Sequence, residues 1–217
     1  NITGKQPGMD EGSSERPNRA KKPCILIGSH LDTVAGGGHL DGTLGVLVAL
    51  EILERFHEEG LKTRHPIEIV AFSDEEGRFG GLFGSSALAG KLNPGIIRSA
   101  VDLEGTTLTA AMKAHGMDAY DALSARRPPD SIKGYLELHI EQGPVLDQAG
   151  IPIGAVTSIT GLFKWSVRII GEADHAGTTP MDLRQDALLA AARFIQAVNE
   201  EALKMEGKQV ATVGRIR

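Results

Sequence analysis

The chain has 217 residues, 41% hydrophobic and 24% charged, with a formal net charge of −5, enough for one large domain or two smaller ones. Its basic residues are scattered, which argues against a nucleic-acid surface or a polybasic membrane patch, and no stretch has the pattern of a membrane-spanning helix or a signal peptide. The single cysteine, Cys24, lies in the apolar run Cys24-Ile25-Leu26-Ile27 and reads as a buried structural thiol; without a second thiol there is no intrachain disulfide or thiolate cluster, and a reducing, cytoplasmic setting is the expectation.

Residues 1–22 are rich in Gly, Ser, Pro, Lys and Arg and read as a loop-like start, with 11–18 a solvated loop. The first residue is Asn and no helix or strand pattern opens the chain, so the sequence reads as a piece of a longer protein. Residues 24–29 predict a buried strand. Residues 42–59 predict a helix, apolar in its first turns and carrying a solvated stripe of Glu51, Arg55 and Glu58. A second strand is expected at 67–72, a short helix at 85–91 before Asn93-Pro94-Gly95, loop and short helix over 106–131, and a third strand at 135–140. That order predicts an α/β sheet whose functional groups gather at the carboxyl ends of the strands.

From about Gly161 the pattern changes. Residues 164–170 alternate as a half-exposed antiparallel strand does, a helix over 182–203 carries Leu188, Ala191, Ile195, Val198 and Ala202 on one face, and 210–213 begin another strand. The expected division is therefore a first domain over 1–160 and the first part of a second α/β domain over 161–217.

Four short segments end these elements with metal-type ligands: Ser29-His30-Leu31-Asp32, Gly38-His39-Leu40-Asp41-Gly42, Ser73-Asp74-Glu75-Glu76 and Glu137-Leu138-His139-Ile140-Glu141-Gln142. Imidazoles with carboxylates suit zinc, manganese, cobalt or nickel. In a strand, residues two apart point the same way, so Asp32 is placed to accept the second ring N–H of His30; a strand-end histidine capped by a turn carboxylate carries equal weight. Asp41, taken alone, reads as a helix N-cap, although a bridging ligand fits the same place. Asp74-Glu75-Glu76 repel one another unless a cation or solvent relieves them, so that one can bind metal while its neighbour acts as a base. His139 alone reads as a structural strand residue. His57, His65 and His115 read as solvated, and His39 sits on a turn. His175, in Asp174-His175-Ala176-Gly177-Thr178-Thr179-Pro180, has small residues and hydroxyls around it and reads as a functional group in a polar pocket.

Taken together, the segments resemble the hydantoinase/carbamoylase family of amidases, which includes N-carbamoyl-L-amino acid hydrolases and allantoate amidohydrolases, within the aminoacylase and carboxypeptidase group of dinuclear metal hydrolases. Its most specific pieces are 28–34, 139–146 and 174–181. The resemblance implies a metal-hydrolase domain with a mixed sheet flanked by helices, followed by the first part of a smaller α/β lid and dimerisation domain. It implies two divalent metal ions (Zn, Mn, Co or Ni), with His30 and His139 holding one, Asp41 bridging both and Glu76 binding the second. Glu75 would be the general base, Asp32 the orienter of His30, Gln142 a substrate-pocket residue, and His175 a polariser of the scissile carbonyl. A homodimer acting on a small amide or ureido substrate is expected, by hydrolysis of a linear C–N bond as in N-carbamoyl-L-amino acids or allantoate. An aminoacylase or dipeptidase with the same metal core, and a non-catalytic binding protein on the same fold, are the alternatives. The resemblance places the last histidine of the second metal, and an Asn and Arg that grip the substrate carboxylate, beyond Arg217, so the piece by itself need not be active. Residues 161–165 depart from the Gln-Arg-Arg type of sequence that relatives carry there.

Overall fold

Apolar and β-branched residues over 24–30 and 67–72 supply the two strands at the centre of the sheet, because side chains of this kind pack on a pleated surface covered on both faces. The computed structural model describes residues 1–9, 22–207 and 209–217; the loop expected at 11–18 lies outside them. Contacts within the chain divide it into Asn1–Gly154 and Ala155–Arg217.

The first unit holds a four-stranded mixed sheet in the order β1-β3-β2-β4, built from β1 (Ile2–Gln6), β2 (Cys24–His30), β3 (Ile67–Phe72) and β4 (Ile132–Leu136). Strand β2 pairs in parallel with both β3 and β4, whereas β1 runs antiparallel to β3 at the edge. Helix α1 (Thr43–Glu58) crosses from β2 to β3 and packs on both. On one side Cys24, Leu26, Val70 and Phe72 form a buried cluster with Leu88 and Ile132 against it; each such side chain removed from water contributes about 1.5–3 kcal/mol. A second cluster, Ile97, Ala100, Leu108 and Ala119, joins the short helices α2 (Phe83–Leu88), α3 (Pro94–Ser99) and α4 (Leu108–Ala114) to a 3-10 turn at Ala119–Ala125. A one-turn helix α5 (Val145–Gln148) closes the unit.

At the amino ends of the parallel strands, Arg127 donates to Glu68 at 2.8 Å and lies 3.7 Å from the Cys24 sulfur. Burial, then the charge of Glu68, pushes the Cys24 thiol above its ordinary pKa, and the hydrogen bond to Glu68 raises that of Arg127.

Several expected elements move. The start of the chain is not all loop: Ile2–Gln6 pairs residue by residue with β3, because an exposed edge strand is held by backbone hydrogen bonds that side-chain patterning does not reveal. The third strand lies at Ile132–Leu136 rather than 135–140: the chain pairs with β2 from Cys24 to Ile27 and leaves it there, although β2 continues to His30. The short helix starts two residues early, at Phe83.

In the second unit Asp186 caps the helix by accepting from Leu188 N and Leu189 N, so α6 (Ala187–Lys204) begins five residues later than expected. A 3-10 turn at Met181–Leu183 fills the gap. The predicted stripe holds: Ala191, Ile195, Val198 and Ala202 are half-buried while Leu188 is exposed. The strands expected at 164–170 and 210–213 are not formed among the described residues; alternation makes a segment fit for a sheet, but a strand needs a neighbour to take its N–H and C=O groups. No helix among the described residues is long and apolar enough to cross a membrane.

Candidate metal centre

Because β2, β3 and β4 are parallel and in register (His30 opposite Phe72, Ile27 opposite Leu136), their carboxyl ends open on one edge of the sheet. His30 is the last residue of β2, Asp74-Glu75-Glu76 follow β3, His139 follows β4, and Asp41 stands at the entry to α1. Close approach is built in by glycine. Gly42 has φ +70°, and a Cβ there would meet the His30 ring at 2.3 Å; one on Gly45 would meet the Leu138 carbonyl oxygen at 2.3 Å and Ser29 at 2.8 Å.

His30 Nδ1 lies 2.6 Å from the Asp32 carbonyl oxygen and His139 Nδ1 2.9 Å from the Ile140 carbonyl oxygen. A carbonyl can only accept, so both rings donate from Nδ1, and in the neutral ring this leaves the Nε2 lone pair free for a metal ion. These two Nε2 atoms face each other at 3.2 Å. Two lone pairs at that distance repel unless a cation lies between them. A shared proton would need no further partner, yet Asp41 Oδ1 stands 3.4 Å from His139 Nε2 and Glu76 Oε1 3.7 Å from His30 Nε2. His30, Asp41 and His139 offer ligand atoms all within 4.8 Å of one another. Ligands about 2.0–2.1 Å from a tetrahedral zinc stand about 3.3 Å apart, which the spacings of 3.2 and 3.4 Å match. The residues therefore fit a transition-metal ion. Asp41 is 2% exposed, and a carboxylate so deeply buried calls for a cation.

Asp41 is not the cap of α1; that position is Gly42, without a side-chain cap, and the Asp41 carboxylate instead accepts from Gln142 Nε2 at 2.9 Å. Gln142 thus joins the centre, held at φ 55°. Asp32 departs from expectation. It holds His30 with its backbone carbonyl, while its carboxylate Oδ2 accepts from Glu76 N at 2.8 Å. The reason is that β2 ends at His30, so strand alternation no longer governs where the Asp32 side chain goes. His139, likewise, lies beyond the end of its strand.

The three consecutive carboxylates avoid one another by facing different ways. Asp74, at φ 58°, takes the Phe79 N–H at 3.4 Å, and burial raises its pKa. Glu75 takes Ser85 N at 2.6 Å on one oxygen and Ser85 Oγ at 2.7 Å on the other. Glu76 faces His30. Ser85 is a residue that sequence reasoning missed; a polar residue early in α2 was the only available signal.

Beneath His30, the Ser29 hydroxyl donates to Glu137 and the Tyr135 hydroxyl to the Gly28 carbonyl at 3.0 Å. Burial, with Glu137 alongside, drives the Tyr135 pKa upward, so that it stays a donor. Among the other histidines, His39, His57 and His115 are exposed. His65 is not simply solvated: it is half-buried and its Nδ1 pairs with the Pro23 carbonyl at 2.8 Å. His175 is exposed in the second unit, where its Nδ1 accepts from Gly177 N at 3.1 Å.

Residues 26–215 match the family model described as Peptidase family M20/M25/M40. The chain is 49% identical over 195 residues to an N-carbamoyl-L-amino acid amidohydrolase of Geobacillus stearothermophilus, covering 88% of this chain and 47% of that one. It is 39% identical over 219 residues to allantoate deiminase 1 of Glycine max, covering 95% and 43%. A hydantoinase/carbamoylase family amidase from Burkholderia ambifaria superposes with a TM-score of 0.69 at 35% identity, covering 98% of this chain and 50% of that one. The chain spans about half the length of the curated relatives it matches.

Proposed function

The chain belongs to peptidase family M20/M25/M40, and on that premise we propose that the protein is a divalent-metal amidohydrolase cleaving a linear amide or ureido C–N bond in an N-carbamoyl-L-amino acid or an allantoate-type ureide. The observation that carries this reading is the pair of Nε2 atoms on His30 and His139 facing each other 3.2 Å apart beside buried Asp41. The relatives named as N-carbamoyl-L-amino acid amidohydrolase and allantoate deiminase support ureido substrates over peptides.

In this reading His30 and His139 would hold one ion and Glu76 a second, with Asp41 shared between them; zinc, manganese, cobalt and nickel suit such a donor set. When bound, the ions supply Lewis acidity and a water acidic enough to attack near neutral pH. Glu75 takes the proton of the attacking water and returns it to the leaving nitrogen. Ser85 holds both oxygens of Glu75 and so sets its direction. Gln142 steadies Asp41 and lines the substrate pocket. His175 donates a hydrogen bond to the scissile carbonyl oxygen as negative charge develops there. A carbamoyl substrate would yield ammonia, carbon dioxide and the free amino acid. A cytoplasmic homodimer completes the proposal.

The test is a substrate panel on the full-length protein, loaded with zinc, manganese, cobalt or nickel: N-carbamoyl-L-amino acids and allantoate against dipeptides and N-acetyl amino acids. Ureide turnover abolished by chelator and restored by metal is expected. Preference for dipeptides or N-acetyl amino acids would replace it with the aminoacylase or peptidase reading, and absence of both bound metal and turnover with a non-catalytic one.

A further inference from the structure

The loop that carries His175 is held from behind by one side chain. Arg184 Nη2 donates to the Ala176 carbonyl at 2.6 Å, and both Nε and Nη2 donate to the Thr179 carbonyl at 3.1 and 2.9 Å. Thr179 N in turn donates to the His175 carbonyl at 3.2 Å. The ends of the loop are joined as well: Glu172 N donates to the Gln185 carbonyl at 3.0 Å, and a Cβ on Gly171 would meet that same oxygen at 2.3 Å.

The Ala176 carbonyl and the Gly177 N–H belong to one peptide unit, planar and trans. Its oxygen end is gripped by the guanidinium, and its N–H end points at His175 Nδ1, 3.1 Å away. Fixing one end of a rigid plane fixes the other. A cation on the oxygen also polarises the amide and makes its N–H a better donor. An N–H aimed at Nδ1 leaves that nitrogen without a proton, so the ring hydrogen sits on Nε2.

We propose that Arg184 is a positioning residue: through the 176–177 peptide it locks His175 as the Nε2–H tautomer, a hydrogen-bond donor to a carbonyl oxygen. The part concerning turnover rests on the function proposed above. The part concerning the tautomer does not.

The experiment is 15N NMR of imidazole-labelled full-length protein, wild type against Arg184→Met and Arg184→Lys, with kcat and KM measured on the ureide that wild type cleaves best. Wild type should show Nδ1 of His175 at the unprotonated shift and Nε2 at the protonated shift. In Arg184→Met the two nitrogens should move toward averaged values, and kcat should fall about 10²-fold with KM little changed, as for a group displaced by about 1 Å. Arg184→Lys retains the charge but not the planar fork that reaches two carbonyls, so it should fall between. Circular dichroism and metal content check that each variant is folded, and Arg184→Lys carries the test if Arg184→Met is not. A proton on Nδ1 in wild type, or an unchanged 15N pattern in the folded variants, overturns the proposal. An inactive wild type with the expected 15N pattern would overturn the proposed function and leave the tautomer lock standing.

Discussion

Asp32 and Glu76 are tied by a hydrogen bond from the Glu76 backbone N–H to Asp32 Oδ2 at 2.8 Å, while the Asp32 carbonyl holds the ring of His30. One residue thereby sets the geometry of two segments, each carrying a proposed metal ligand, that leave different strands. Asp32→Ala should lower metal affinity about 10–100-fold, the usual effect of removing a group that orients ligands. Asp32→Asn retains an oxygen that can accept from Glu76 N and should lose much less. Calorimetric titration with zinc compares them; equal losses would show that the charge, rather than the hydrogen bond, is what matters.

His139→Ala removes one of the two facing imidazoles and should abolish binding of the first ion while leaving the sheet intact, since His139 lies outside the strands. Zinc at 100 times the Kd of this site should stabilise the wild type by about 2.7 kcal/mol and the variant by markedly less. Equal thermal shifts on adding zinc would rule out this site.

Gly42→Ala places a methyl group 2.3 Å from His30 Nδ1 at a residue with φ +70°. The backbone cost of a non-glycine residue in so sparsely populated a conformation is about 1–3 kcal/mol, which denaturant unfolding measures. The larger effect should be on metal affinity, because the ring of His30 has to shift; a variant that is destabilised but binds metal normally would show that the ring is not held there.

Glu75→Gln should keep bound metal and lose several orders of magnitude in kcat on ureides in the full-length protein. Ser85→Ala deletes one of the two hydrogen bonds that hold Glu75 and should reduce kcat about 10-fold, in proportion to a bond of about 1.5 kcal/mol. Near-normal turnover in Glu75→Gln would remove it from the role of base.

Cys24 provides a pH prediction. Its pKa in the folded chain is raised above the ordinary 9.0 by burial and by Glu68. Below pH 9 the thiol is protonated whether folded or unfolded and costs nothing; as pH rises past 9 the unfolded chain ionises first, so stability falls until the folded pKa is reached. Urea unfolding from about pH 8 to pH 10 should show a steeper loss in the wild type than in Cys24→Ala. Parallel curves would mean that burial does not resist ionisation.

The central strands and α1 were legible because apolar runs and 3.6-residue periodicity are local properties. The third strand was misplaced because Tyr135-Leu136-Glu137-Leu138-His139-Ile140 alternates as well as any strand, while pairing with β2 stops at Ile27 opposite Leu136 although β2 itself runs on to His30 beside β3. The edge strand at Ile2–Gln6 was missed for the converse reason: backbone bonding to β3 makes it a strand, and its side chains are mostly exposed.

By itself the sequence determined the chemical inventory: two imidazoles and a set of carboxylates after apolar strands, and motifs specific enough to indicate the family. Only the tertiary structure decided how each group is used. It set carbonyls at Nδ1 of His30 and His139 and turned their Nε2 atoms toward each other, turned Asp41 away from the helix it precedes, and sent Asp74, Glu75 and Glu76 in three directions. The physical reason is that tautomer and side-chain direction depend on hydrogen-bond partners, and several of those partners lie far along the chain and meet only where parallel strands end together.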